Sequence, residues 1–204
     1  AIRDAGHEVV LLSPPGKYVE RLRQAGFRWI EFPLARRRLN PIAELLTILR
    51  LLLIYRRERP TLVHHFTIKC VVYGSIAARL SGVKGVVNAL TGLGHFFTHN
   101  GLKTRPLRGL IKLACRLALK RTQVIFQNPD DHRAFLAGHL VEGVNSHLIR
   151  GSGVDIDRFK PSAPPCATRH HRVLLASRLL WAKGVKEYVE AGREVRRVNP
   201  DIVF

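Results

Sequence analysis

The chain has 204 residues, 46% of them hydrophobic, and 34 Lys and Arg against 15 Asp and Glu give a formal charge of +19. That much apolar material can fill one large or two small cores, and no segment has the composition of a disordered tail. The charge calls for anionic partners, whether nucleic acid, acidic lipid or phosphorylated substrates, and does not choose among them.

Cys70, Cys115 and Cys166 lie far apart and form no CxxC pair, which argues against a zinc knuckle or a disulfide framework and fits a reducing compartment. No signal peptide is read, and the longest obvious apolar run, Leu51 to Tyr55, is too short to cross a membrane. There is no methionine, the first residues read as the end of a helix running into a strand, and PDIVF reads as a strand beginning. The expectation is a piece of a longer chain.

In chain order, Glu8 to Leu12 is predicted as a strand and Ser13 to Gly16 as the turn after it. Tyr18 to Ala25 has helical spacing and stops at Gly26, and Arg28 to Phe32 is a short strand. Asn40 as N-cap and Pro41 at the first helical position start a long helix that runs to about Arg59, before Pro60. Leu62 to Phe66 reads as a buried strand, Val71 to Leu80 as a helix and Gly85 to Leu90 as another strand.

Thr91 to Arg105 is a glycine-rich, aromatic loop, Pro106 to Lys120 a basic amphipathic helix and Gln123 to Gln127 a strand. Asn128 caps a helix entered through Pro129, and Leu148-Ile149 lies on the next strand. Ser152 to His170, with three prolines, reads as a linker. RVLLASRLLWAKGVKEYVEA then reads as a buried strand, a loop and an amphipathic helix. Strands alternating with helices predict an α/β fold with a doubly wound parallel sheet, and the fresh βα unit after the linker predicts a second domain. The boundaries are 1–151, a linker over 152–170, and 171–204.

Four segments carry candidate chemistry. Arg178 and Lys183-Gly184 follow a strand and precede a helix, where a guanidinium and an ammonium suit a diphosphate. Thr91-Gly92-Leu93-Gly94-His95 follows another strand; its glycines allow close backbone approach and His95 can exchange a hydrogen bond with a substrate hydroxyl, unless the loop merely closes the core. His64 and His65 are adjacent and point to opposite faces of a strand, so they do not share a metal; one of them, or Lys69, either lines the cleft or is plain surface. Gly151 and Gly153 permit unusual backbone angles beside the cleft, and Asp155 and Asp157 read as turn caps rather than an acid–base pair.

The helix from Pro41 is apolar on most of its surface and ends in Arg56, Arg57 and Arg59. With Arg36-Arg37-Arg38 and the Pro106 helix it makes either a basic, greasy face for an anionic membrane or a sheet-covering helix with cations at its negative end.

The segments GSGVDIDRFKP and ASRLLWAKGVKEY make the chain resemble family 4 glycosyltransferases, retaining enzymes of the two-domain GT-B fold, in which both domains are Rossmann-like. RLNPIAEL, TGLGHFFTHNGLKT and LLWAKGVKEY bring it nearest to bacterial transferases that extend a polyprenyl-diphosphate-linked sugar, N-acetylgalactosaminyltransferases among them.

The resemblance implies an acceptor-side domain at 1–151 lacking its first strand, and the beginning of a nucleotide-sugar domain at 171–204. It implies transfer of a sugar from a nucleotide donor, UDP-linked, to a lipid-linked saccharide in surface-glycan assembly. The work would be done in the cytoplasm, at the inner face of the bacterial membrane. Arg178, Lys183 and Gly184 match the donor-diphosphate positions, and no metal or other cofactor is expected because the cations stabilise the leaving group. Thr91, Gly92, Gly94, His95 and Lys69 would line the acceptor cleft, with Gly151 and Gly153 beside it.

The histidine that many members carry after the strand ending at Thr91-Gly92 is absent, which leaves the catalytic residue unassigned and His95 the nearest candidate. The paired-Glu donor motif would lie beyond Phe204, so this chain alone is expected to be inactive. The competing readings are a UDP-sugar 2-epimerase of the same fold and a basic nucleic-acid-binding module. The second lacks any helix-turn-helix, zinc-finger or RNA-recognition signature, so no nucleic acid is expected as partner.

Overall fold

A computed structural model describes residues 2–34, 40–91, 105–151, 153–161 and 171–204. The chain divides into two compact units, Ala1–Ser152 and Gly153–Phe204.

In the first unit β1 (Val10–Ser13) pairs in parallel with β2 (Arg28–Glu31) across the short helix α1 (Val19–Gln24). The chain then enters α2 (Pro41–Glu58). Asn40 begins it, its side chain accepting from the Ile42 amide at 3.1 Å, with Pro41 fixing the first helical φ. Arg59 ends it in the left-handed region at φ 45°.

A four-stranded parallel sheet follows in the order β3 (Leu62–Phe66), β4 (Gly85–Leu90), β5 (Gln123–Phe126), β6 (Ser146–Leu148). Its crossovers are α3 (Ile68–Leu80), α4 (Arg105–Leu119) and α5 (Pro129–Ala137). Parallel strands need such crossovers, which is why apolar strands and helices alternate along the chain.

Helix α3 packs between α2 and α4. One apolar cluster joins Phe32, Leu51, Tyr55, Val63, Ala77, Ala78 and Val86, with Leu12 and Leu34 against it, so the β1–β2 pair and the four-stranded sheet share a core beneath α2. A second gathers Val71, Leu90, Cys115, Leu119, Val124, Phe126, Phe135 and Leu140 beneath α3, α4 and α5. Phe126 and Phe135 meet edge to face with centroids 5.3 Å apart. The buried Cys115 thiol is pushed up to about 11 by loss of solvent.

The elements lie close to their predicted places, with one consequential shift. The helix expected from Val71 begins at Ile68, because Thr67 turns the chain abruptly at φ 71° and ψ 147°. Lys69 therefore sits in a helix's first turn rather than in a loop.

The second unit consists of β7 (His171–Arg172), a 3-10 turn at Trp181–Lys183, helix α6 (Val185–Val198) and β8 (Ile202–Val203), with β7 and β8 parallel. The buried strand expected over RVLLAS is not found: β7 has two residues, and Leu174 is 85% exposed. Among the described residues only β8 pairs with β7, and an apolar run is buried only where a second layer lies on its other face. Tyr188 of α6 holds this unit together, donating to the Val173 carbonyl at 2.8 Å and meeting Phe204 edge to face.

Candidate functional site

Because β3 to β6 run parallel, their carboxyl ends share one edge, and the residues leaving them are Thr67, Thr91, Gln127 and Ile149. In open α/β sheets that edge is where ligands bind. Thr67 carries the clearest backbone signal there. A β-branched residue at positive φ is strained, at a cost of about 1–3 kcal/mol, and such strain concentrates at functional positions. Sequence reading missed it, since nothing in His-Phe-Thr-Ile announces a positive φ.

Lys69 is tied back rather than free. Its ammonium donates to Glu44 Oε1 at 2.7 Å, with both side chains less than one-fifth exposed, and stands over the Tyr73 ring. Tyr73 is raised above the ordinary phenol value by burial first and by its hydrogen bond and charge interaction with Glu44 after that. Lys69, Tyr73 and Glu44 thus clamp the start of α3 to the start of α2.

The two histidines part company as the strand alternation requires. His64 is exposed and rests on Phe66, with centroids 4.2 Å apart. His65 is buried inside a closed hydrogen-bond network. Thr122 Oγ1 donates to the Leu119 carbonyl, so it accepts from Asn88 Nδ2 at 3.0 Å. That orients the Asn88 amide, placing Oδ1 2.8 Å from His65 Nδ1, which must donate. His65 Nε2 is then the acceptor for the Tyr55 hydroxyl at 2.9 Å. Ser75 Oγ completes the set at 3.0 Å from Asn88 Nδ2.

Burial lowers the His65 pKa, partly countered by the Asn88 bond, and burial raises Tyr55. His65 is therefore a structural residue, not one lining a cleft. Among the described residues no three His, Cys, Asp or Glu side chains are placed to hold a metal.

Thr91 is exposed at the end of β4. Gly92, Gly94 and His95 lie outside the described residues, as do Arg36 to Arg38. Gly151, after β6, and Gly153, in the second unit, adopt φ of 63° and 74°, angles that glycine takes without strain. Asp155 is a turn cap: its Oδ1 accepts from the amides of Asp157 at 3.1 Å and Arg158 at 3.0 Å.

In the second unit Arg178 is exposed on the loop after β7, and Lys183 is exposed at the end of the 3-10 turn. Gly184 links that turn to α6 in the left-handed region, φ 76° and ψ 22°. A helix N-terminus presents amides without intrahelical partners, and here a lysine and an arginine stand on the segment leading into it. A hollow of this unit lies elsewhere, along α6 between Tyr188, Arg193, Arg197 and Phe204.

Comparison with known proteins adds three findings. The family described as "Glycosyl transferase 4-like" matches residues 1–128. A Campylobacter jejuni protein, N,N'-diacetylbacillosaminyl-diphospho-undecaprenol alpha-1,3-N-acetylgalactosaminyltransferase, is 25% identical over 203 residues, covering 94% of this chain and 54% of its own. The chain thus spans about half the length of that relative. A crystal structure of a glycosyltransferase from Rickettsia africae superposes with a TM-score of 0.67 at 18% identity, over 96% of this chain and 51% of that one, and shows the shared GT-B fold.

Proposed function

We propose, from the premise that this chain belongs to the glycosyl transferase 4-like family, that it is part of a retaining transferase which moves a sugar from a UDP-linked donor to a polyprenyl-diphosphate-linked saccharide. The observation that carries this reading is the match along 94% of the chain to a relative whose name specifies an undecaprenol-diphosphate-linked acceptor. The site chemistry agrees with it. Arg178 can grip a phosphate with two parallel N–H donors, Lys183 adds a point charge, and the α6 amides beyond Gly184 add dipoles of the same sign.

When the glycosidic bond breaks, negative charge grows on the departing diphosphate. Cations fixed there favour the transition state over the ground state, and no metal or other cofactor is called on. In this reading the acceptor side is the carboxyl edge of the first unit, where Thr91 leaves β4, and the Gly92–His95 segment next in sequence is assigned to it; Gly151 and Gly153 flank the boundary between the units along the chain. The enzyme would work as a peripheral protein on the cytoplasmic face of the bacterial membrane, where its acceptor's lipid is anchored.

The test is transfer of labelled sugar by the full-length protein from UDP-N-acetylhexosamine to an undecaprenyl-diphosphate saccharide, with titrations by UDP and by an oligonucleotide alongside. Transfer together with UDP binding supports the reading. Tight oligonucleotide binding without UDP binding would turn the +19 charge to nucleic acid and overturn it.

A further inference from the structure

Helix α2 is apolar nearly all round, yet it buries only one side. Leu51 and Tyr55 face the core, while Ile42, Leu45, Leu46, Leu49 and Leu53 are between 43 and 71% exposed. At 100° per residue those five fall in one band on the side of the helix opposite Leu51 and Tyr55. Helix α4 repeats the arrangement: Cys115, Ala118 and Leu119 are buried, and Leu110, Leu113 and Leu117 are 53 to 63% exposed. Both helices pack against α3, so the two leucine rows look outward from one helical layer.

Charge accompanies the rows. Arg50, Arg56, Arg57 and Arg59 are exposed on or just after α2, and Lys112, Arg116, Lys120 and Arg121 on or just after α4. Helix α4 has no acidic residue, and the two of α2 are turned inward, Glu44 to Lys69 and Glu58 to Arg28. Scattered exposed apolar residues need no explanation, but seven leucines and an isoleucine in two rows, accompanied by eight cations and no exposed acid, form an interaction surface.

We propose that the outer face of α2 and α4 lies on an anionic lipid bilayer, with the leucine rows sunk into the headgroup boundary and the arginines and lysines on lipid phosphates. Apolar rows with basic flanks suit a surface that is greasy within and negatively charged at its rim. A second copy of the chain fits worse, because a self-complementary contact would set these cations against themselves with no acid to receive them. No helix among the described residues is long and apolar enough to cross a membrane, so the contact is with the surface. This deepens the proposed function, and rests on it for its purpose: the acceptor's lipid keeps the saccharide within reach of an enzyme held flat on the same leaflet.

The test is sedimentation of the full-length protein with vesicles of phosphatidylcholine alone and with phosphatidylglycerol added. The parent should bind the anionic vesicles and leave the neutral ones. Leu46→Glu/Leu49→Glu/Leu53→Glu in α2 and Leu113→Glu/Leu117→Glu in α4 should each weaken binding about tenfold or more, with unchanged circular dichroism because every site is exposed. Arg56→Gln/Arg57→Gln should remove part of the preference for anionic lipid.

Leucine variants that bind like the parent would overturn the proposal, and so would a parent that binds neither vesicle or that dimerises through this face in solution. Transfer to a short-chain, water-soluble acceptor keeps the two readings apart. If it is retained in variants that have lost vesicle binding, both stand. If transfer is absent in a parent that binds anionic vesicles through α2 and α4, the transferase reading falls and the docking face stands.

Discussion

His65 on β3 stands in register opposite Asn88 on β4, and its Nδ1 donates to Asn88 Oδ1 at 2.8 Å inside the core. Through Tyr55 the pair reaches α2, through Ser75 α3, and through Thr122 the start of β5. Five polar side chains thus pin two helices and three strands in one arrangement, and among the described residues no buried side-chain nitrogen or oxygen lacks a partner. Networks of this kind specify a unique packing when complete and are costly when broken.

Asn88→Ala should therefore lower stability by about 2–4 kcal/mol, since it strands the His65 Nδ1 donor and leaves Ser75 and Thr122 without their shared partner. Urea unfolding of the full-length protein measures it. A loss under about half a kcal/mol would mean that water replaces the amide at no cost.

The same ring sets a pH dependence. His65 is held below its ordinary value by burial, so the folded state resists the proton that the unfolded chain accepts below about pH 6.5. Stability should be level above that pH and fall as pH drops below it, until the folded ring titrates too. His64, lowered by partial burial, acts in the same direction. Comparing denaturation midpoints at about pH 7.5 and 5.5 in parent and His65→Gln isolates the buried ring: the acid loss should be smaller in the variant.

Gly74 lies against the His65 ring, and a Cβ added there would overlap it. Gly74→Ala should destabilise by about 1–3 kcal/mol, as overpacking does, despite alanine's better helix propensity. A thermal midpoint equal to or above the parent's would show that the ring can move aside.

Thr67→Gly should raise stability by about 1 kcal/mol, the relief of strain at φ 71° exceeding glycine's entropic cost, whereas Thr67→Ala should not. If the proposed edge of the sheet binds substrate, Thr67→Gly should also raise KM. Thermal melting and steady-state kinetics read the two effects separately.

Arg178→Ala and Lys183→Ala in the full-length protein should each reduce kcat by about 10²–10³, the size of effect seen when one fixed donor to a developing charge is removed. Folding should be intact, because both side chains are exposed. Near-normal turnover in both variants would remove the diphosphate role from this loop.

Local signals carried most of the fold. Asn40-Pro41 and Asn128-Pro129 start helices as read, because an N-cap side chain and a fixed φ act within one turn. The opposite fates of His64 and His65 follow from strand alternation, and the capping role of Asp155 from its reach to amides two and three residues on. The run from Val173 misled because an apolar stretch states only that it can be buried. Whether it is depends on a second layer, and among the described residues β7 pairs in its sheet only with β8.

By itself, then, the sequence determined the alternation of strands and helices, the caps, the family resemblance and the two cations before α6, all of which depend on neighbours along the chain. Only the tertiary structure decided that Lys69 belongs to Glu44, that Thr67 is strained, that His65 closes a network with Asn88, and that α2 and α4 turn leucines outward. The physical reason is the same in each case. A helix greasy on most of its surface does not encode which side meets the core; that is fixed by which strands arrive beneath it from distant parts of the chain.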